Sequence, residues 1–309
     1  MRLSANLFLS PTQLKNYYKL YISFFAAKGL AQNKFGKICN CTEVKSIFWY
    51  NSKLIDSQTI ELDINNPGLL YGATVFTTLR VYNSLDNPLT QWQAHLARIK
   101  TSLNYFNWQQ PNWDSISVGA ELMKQHFPVL RITVFPDGKE WITGRTLAPD
   151  LQQKQKHGIT ASIVQDYYRS LPTHKTGNYL APILAKTNAA QNHNCQEAIF
   201  IDKEGNWLET TTGNLWGWKD NCWWTPPLSE GILPGIARQY IGTNLIKQNQ
   251  VVREDVWNIK LVKSFETLAY SNCIVELIPI HTVVIDTGML IYGAQHPSLK
   301  ELQALFQKD

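Results

Sequence analysis

The residues with chemistry in them gather between Lys175 and Arg238. His174-Lys175-Thr176-Gly177-Asn178-Tyr179-Leu180 sets a lysine beside a Gly-Asn turn, where a constrained backbone can hold an amine nucleophile in place. Farther on, Glu209 stands ahead of Thr210-Thr211-Thr212-Gly213-Asn214, a carboxylate followed by hydroxyls. Gly231-Ile232-Leu233-Pro234-Gly235-Ile236-Ala237-Arg238 then places a Pro-Gly turn at a helix start, where backbone N–H groups and the helix dipole favour an anion. Amine, acid and anion cradle occur in one ordered stretch.

The elements that must position these groups follow from pattern. Ile47 to Ile55 has two apolar runs around an Asn-Ser turn, a hairpin signal. Asn65-Asn66-Pro67-Gly68 reads as a turn, and Val75 to Tyr82 as a strand with Thr77 and Thr78 side by side. Strand neighbours point to opposite faces, so one of the two threonines at most looks into a given cleft. Taken alone, the pair reflects β-propensity. Trp92 to Leu103 is helical, with Leu96 and Leu103 on its buried face and Arg98 a solvated charge on pattern alone. Val129 to Arg145 is a strand, a Pro-Asp-Gly turn and a second strand. The polar stretch after it places a domain boundary near Pro149, giving an N-terminal extension (1–46), a small domain (47–149) and a large one (150–309). Ile159 to Val164 opens the large domain as a strand, and Tyr179 to Gln191 is a helix. That helix carries a rival lysine, Lys186, which has no Gly-Asn turn beside it and reads as a surface charge. A helix follows Arg238 to about Gln248, a strand and turn run through Ser271-Asn272-Cys273, and a terminal helix ends the chain. The extension shows no targeting cleavage pattern and is expected to be loosely ordered and outside the catalysis.

K-x-x-N at Lys175–Asn178, E-x-x-x-x-N-[LF] at Glu209–Leu215, T-P-P at Thr225–Pro227 and G-I-L-P-G-I-x-R at Gly231–Arg238 resemble the class IV, or fold type IV, pyridoxal phosphate (PLP) enzymes. That group holds branched-chain aminotransferases, D-amino acid aminotransferases and aminodeoxychorismate lyases. The resemblance runs from about Phe48 to the C-terminus, and it departs from the family at Trp216, usually Phe or Tyr, and at Ala237, Thr in most transaminases. It implies a two-domain α/β (α+β) fold with PLP in the cleft between the domains, and a homodimer with parts of both chains near each site. Lys175 would form the Schiff base and then act as general base and acid, which requires its pKa to fall toward neutrality. Glu209 would face the pyridine nitrogen, Tyr179 the ring hydroxyl and Leu233 the ring face. His95-Leu96-Ala97-Arg98 matches an H-[IL]-x-R motif, so Arg98 would grip the phosphate with the backbone of Ile236 and Ala237, Asn272 and Cys273 adding contacts. Arg145, in a Gly-Arg pair, is the candidate for a substrate carboxylate, with a surface arginine as the alternative; Arg80 is a second substrate-binding candidate.

Val75-Phe76-Thr77-Thr78-Leu79-Arg80-Val81 resembles the C-F-T-T-A-R-V segment of the lyases, and Ala237-Arg238-Gln239 departs from the transaminase I-T-R in the same direction. Asn178-Tyr179-Leu180 is closer to the branched-chain enzymes. The expected activity is a 4-amino-4-deoxychorismate lyase giving 4-aminobenzoate and pyruvate on a route to folate, with Lys175 moving the proton and Thr77 or Thr78 assisting. The alternatives are a class IV aminotransferase on branched-chain or D-amino acids, and a non-catalytic PLP-binding protein.

Composition bounds the rest. A chain of 309 residues can bury a full core, and a net charge of +5 suits a small anionic substrate. Neither a Lys/Arg stripe interleaved with aromatics nor a membrane-length apolar run occurs, so no nucleic-acid or membrane partner is expected. Five irregularly spaced cysteines suit reduced thiols and a cytoplasmic location, and Cys39-Asn-Cys41 lacks the second pair a zinc site needs, so no metal is expected. Most of the 11 tryptophans read as packing.

Overall fold

Asn51 and Ser52 take φ of 46° and 63°, the paired positive values that let a two-residue turn follow the twist of its strands. They join β1 (Ile47–Tyr50) to β2 (Lys53–Asp56) as the expected hairpin. The computed structural model describes residues 47–165 and 167–307, so the extension and the Cys39–Cys41 pair lie outside the described residues. β3 (Val75–Arg80), β4 (Val129–Val134) and β5 (Glu140–Arg145) complete an antiparallel sheet in the order β2-β1-β5-β4-β3. Helices α1 (Trp92–Phe106) and α2 (Trp113–Met123) cover one face. Their Ile99, Leu103, Ile116 and Met123 pack on Leu79, Leu130, Ile132 and Ile142, each fully buried side chain contributing about 1.5–3 kcal/mol. The inward face of α1 runs through His95, Ile99 and Leu103. Leu103 lies on it as expected, while Leu96 packs against the core only in part and His95 takes the more deeply buried position beside it.

The second sheet is mixed. It contains β6 (Ile159–Val164), β7 (Glu197–Ile201), β8 (Trp207–Thr210), β9 (Asn214–Lys219), β10 (Cys222–Thr225), β11 (Val252–Glu254), β12 (Thr267–Asn272), β13 (Glu276–Ile285) and β14 (Gly288–Ile291). The order is β11-β10-β9-β12-β13-β6-β7-β8, with β14 beside β13, and a Glu209–Asn214 pairing brings β8 back to β9. Parallel neighbours need a crossover: after α3 (Leu151–His157) leads into β6, α4 (Leu180–His193) carries the chain from β6 to β7. Pro182 lies in the first turn of α4, where its missing N–H breaks no helical bond. Helices α5 (Ile236–Lys247) and α6 (Pro297–Ala304) pack on Trp216, Trp223 and Leu277. Trp207, Trp216, Trp223 and Trp257 are fully buried, in keeping with a packing role.

Three local expectations change. The Asn65–Gly68 turn is a helix start: Asn66 caps Pro67–Tyr71 by accepting from the Gly68 N–H at 2.8 Å, and Pro67 fills the first position. α5 begins at Ile236 rather than beyond Arg238, because Gly235 supplies its extended N-cap. Lys186 is not a free surface charge, since its Nζ lies 3.1 Å from the fully buried carboxylate of Glu197. Among the described residues no helix is long and apolar enough to cross a membrane.

Candidate active site

Lys175 sits on the loop between β6 and α4, and that loop is stitched to the first sheet. The Lys175 carbonyl accepts from the Phe76 N–H at 2.8 Å, and the Gly177 N–H donates to the Thr74 carbonyl at 2.8 Å. The amine enters a cavity of about 360 Å³ whose walls come from both sheets. Its Nζ lies 4.9 Å from the centre of the Phe76 ring and 5.2 Å from that of Tyr179. Aromatic faces favour an ammonium, but burial, reinforced by Arg169 and Arg98, holds the amine well below its ordinary range despite Glu209. Lys175 is thus tuned toward the neutral, nucleophilic form.

Glu209 is buried at the end of β8, its Oε1 2.7 Å from Arg169 Nε. Arg169 also donates through Nη2 to the Thr211 carbonyl at 2.8 Å, a carbonyl the Tyr179 hydroxyl reaches at 3.0 Å. Burial pushes Glu209 above the usual carboxylate range while Arg169 pulls it down. Burial opposes the charge on Arg169, but Glu209 holds that guanidinium above its ordinary value. The two form a charged pair that fixes the acid's orientation. The other oxygen, Oε2, has longer contacts, 3.4 Å each, to Asn214 Nδ2 and the Leu233 N–H.

The anion cradle is built from three elements. α5 presents its first-turn N–H groups, at Ile236 and Ala237, where a helix has no internal acceptors for them. Gly235 is required there, since a Cβ would stand 2.0 Å from Asn214 Oδ1. Arg98 comes from α1, its Nη2 donating to Thr77 Oγ1 at 2.5 Å while its buried Nε has no partner among the described residues. The third element is the turn from β12 to β13, which carries Ser271, Asn272 and Cys273 into the wall. Asn272 uses its side chain to hold that turn: Oδ1 accepts from the N–H groups of Ile274 and Val275, and Nδ2 donates to the Thr212 carbonyl. Burial pushes the Cys273 thiol up, against the pull of Arg98.

Most of the expected residues meet here. Lys175, Tyr179, Glu209, Leu233, Ile236, Ala237, Asn272, Cys273, Arg98, Thr78 and, at the exposed rim, Arg145 line one cavity. Two do not. Thr77 points to the opposite face of β3 and is fully buried behind the wall, as strand alternation requires once Thr78 faces in. Arg80 shares the face of Thr78 but lies beyond the cavity, captured by Glu276 at 2.6 Å. Two arginines of the wall lay outside the sequence expectations, Arg169 and Arg131. Arg131 stands on β4 with its guanidinium 3.7 Å from the Phe76 ring centre, and burial holds it below its ordinary range. A lone charge in Val-Leu-Arg-Ile-Thr-Val was the available signal for it; Arg169 had none beyond its nearness to Lys175.

A buried amine, an acid braced by an arginine and a helix-start anion site, housed between a small antiparallel and a larger mixed sheet, define an enzyme that uses a phosphorylated carbonyl cofactor. The chain belongs to the class IV amino-transferase family, which matches residues 74–283. Its cofactor is PLP. Branched-chain-amino-acid aminotransferase of Salmonella typhimurium is 24% identical over 302 residues, covering 86% of this chain and 93% of that protein. Aminodeoxychorismate lyase of Bacillus subtilis is 22% identical over 289 residues, covering 85% and 94%. The fold is shared with the PLP-bound form of a hypothetical aminotransferase from Mycobacterium tuberculosis, at a TM-score of 0.71, 16% identity, and coverage of 84% of this chain and 97% of that one.

The cavity fits this cofactor. The unpartnered Arg98 Nε and the N-terminus of α5 suit its phosphate, Glu209 Oε2 has capacity for a protonated ring nitrogen, and the neutral-tuned Lys175 suits its aldehyde.

Proposed function

We propose that this enzyme is a 4-amino-4-deoxychorismate lyase, releasing 4-aminobenzoate and pyruvate, and that it works as a homodimer. The observation that carries the reading is Thr78: β3 turns this hydroxyl into a cavity that Arg131 and Arg145 also line. Two guanidiniums beyond the anion cradle suit a substrate with two carboxylates, which such cations bind in fork geometry. Bound PLP supplies an electron sink for the carbon that carries the substrate amine. Lys175 Nζ takes the proton from that carbon, held beside the edge-to-face pair of Phe76 and Tyr179 rings. The substrate C–O bond then breaks, and the three-carbon fragment regains a proton to leave as pyruvate, the Thr78 hydroxyl standing in the wall to guide it. Substrate and products balance without oxidant, reductant or water. Arg169, paired with Glu209, would favour its ionised form and hold it toward the cofactor's ring nitrogen, and Arg131 and Arg145 would orient the substrate.

The test is to give the PLP-loaded enzyme 4-amino-4-deoxychorismate without a keto acid and to quantify 4-aminobenzoate and pyruvate. Equal formation of both is expected, abolished in Lys175→Ala. The second reading, an aminotransferase, is supported by the long match to the branched-chain enzyme and by Tyr179 on the Thr211 carbonyl. Absence of both products, with turnover of an amino acid that depends on a keto-acid acceptor, would establish that reading instead.

A further inference from the structure

Behind the cavity wall, Thr77 of β3 and His95 of α1 form a buried polar pair that lies outside the cavity lining and meets it only through Arg98. Thr77 and His95 are both fully buried. Thr77 Oγ1 lies 2.6 Å from His95 Nδ1 and 2.5 Å from Arg98 Nη2. A guanidinium can only donate, so the Thr77 oxygen accepts from Arg98. The Thr77 hydroxyl keeps its own proton to give to a neutral His95 Nδ1, the arrangement in which the imidazole hydrogen sits on Nε2, a buried atom with no partner among the described residues. His95 and Arg98 are three residues apart on one helix and so lie on one face. Alone, α1 would leave the guanidinium free to swing; the strand oxygen fixes one of its edges. The buried Nε has no partner among the described residues and remains available to a ligand of the cradle. Burial, with Arg98 and Lys175 adding to it, keeps His95 well below the usual histidine range, so the ring stays neutral and able to accept.

We propose that Thr77 and His95 are positioning residues that aim Arg98 at the phosphate of PLP, acting through the guanidinium and not by contact with substrate. The proposal rests on the reading of Arg98 as the phosphate ligand. It separates the adjacent threonines by role: Thr78 serves the substrate side of the wall, Thr77 the phosphate side. It also explains a hydroxyl in the interior of a core strand, where valine would otherwise pack as well.

The test compares PLP with pyridoxal, which lacks the phosphate. Apo-protein is titrated with each, following tryptophan quenching and borohydride-trapped attachment to Lys175, with the Tm of each apo-variant recorded. Thr77→Val is expected to weaken PLP binding about tenfold, the scale of one charge-assisted hydrogen bond, and to leave pyridoxal binding unchanged. Thr77→Ser should restore PLP affinity, and His95→Gln should weaken PLP selectively. In an Arg98→Met background, Thr77→Val should cause no further loss. Equal weakening of both ligands by Thr77→Val would reduce the cluster to core packing and overturn the proposal, as would no change in either. Wild-type protein that forms the Lys175 adduct but binds PLP no more tightly than pyridoxal would overturn the reading of Arg98, and the proposal with it.

Discussion

Lys175 carries opposed demands within one side chain. The rings of Phe76 and Tyr179 would welcome a cation, while burial and the guanidiniums of Arg169 and Arg98 expel the proton. The second influence prevails because desolvation of a charge exceeds what an aromatic face returns. This has a consequence for stability. The unfolded chain binds the lysine proton up to its ordinary 10.5, whereas the folded chain releases it well below. Between the folded value and 10.5 the unfolded state therefore holds more protons, so the penalty, full at low pH, fades as pH rises through that window and is gone above 10.5. Replacing Lys175 with methionine removes the penalty, each tenfold in proton affinity being about 1.4 kcal/mol. Urea unfolding of the apo-protein at pH 8 should show Lys175→Met more stable than wild type by at least ~1 kcal/mol. A less stable variant would mean that the amine is charged and paired in the fold.

At the scale of elements, the site depends on turns that hold strand and helix ends in register. Gly235 allows α5 to begin against β9, with Asn214 Nδ2 donating to the Leu233 carbonyl at 2.9 Å. A methyl group on Gly235 would displace Asn214 and, with it, the cradle. Gly235→Ala should cost about 1–3 kcal/mol of stability by overpacking, and PLP affinity should fall by more than tenfold while α5 still forms. Circular dichroism with a PLP titration reads both; full affinity with only lost stability would remove α5 from the phosphate site. The β12–β13 turn is held from two sides. Trp216 Nε1 donates to Ser271 Oγ at 3.0 Å, so the tryptophan that replaces the usual Phe or Tyr adds a polar tie to the turn. Glu276, at φ 61°, accepts from Arg80, from the Tyr82 hydroxyl at 2.6 Å and from Gln155 Nε2 at 2.9 Å. That carboxylate joins the end of β3 to the start of β13 and to α3. Arg80 therefore acts as a tie between the sheets.

The molecule as a whole has a pH signature. His95 is neutral when buried, and burial lowers His174 as well, where it stacks near Tyr105 and bonds Ser102. Below about 6.5 the unfolded chain protonates both before the folded chain does, so stability falls as pH drops through that window. For the fully buried His95 the loss should approach about 1 kcal/mol for each pH unit below it, with His174, more open to solvent, adding less. Urea midpoints at pH 7.0 and 5.5 should differ less in His95→Gln than in wild type, and an identical difference would show that His95 does not drive the acid loss.

Much of the site was legible along the chain because its parts are local. A lysine beside Gly-Asn, a glutamate ahead of hydroxyls and a Pro-Gly helix start each fall within a few residues, and the family motifs order them. The hairpin at Asn51-Ser52 and the strand–turn–strand of β4 and β5 were legible for the same reason, since turn chemistry is a property of two or three neighbours. Pattern did not reveal which way a side chain faces once sheets stack. Thr77 and Thr78 are equivalent in sequence, but only the packing of α1 against β3 decides that Thr77 meets His95 and Arg98 while Thr78 meets the cavity. Arg80 and Arg145 looked alike as substrate arginines until Glu276, 196 residues from Arg80 along the chain, captured one of them. Arg169 acquires its role by meeting Glu209 40 residues later. The sequence by itself determined the reactive groups, their order and the class of cofactor, because those are matters of residue type and short spacing. The tertiary structure decided which arginine braces Glu209, which ties the two sheets and which line the cavity, because a charge takes its place from the partner that long-range folding sets against it.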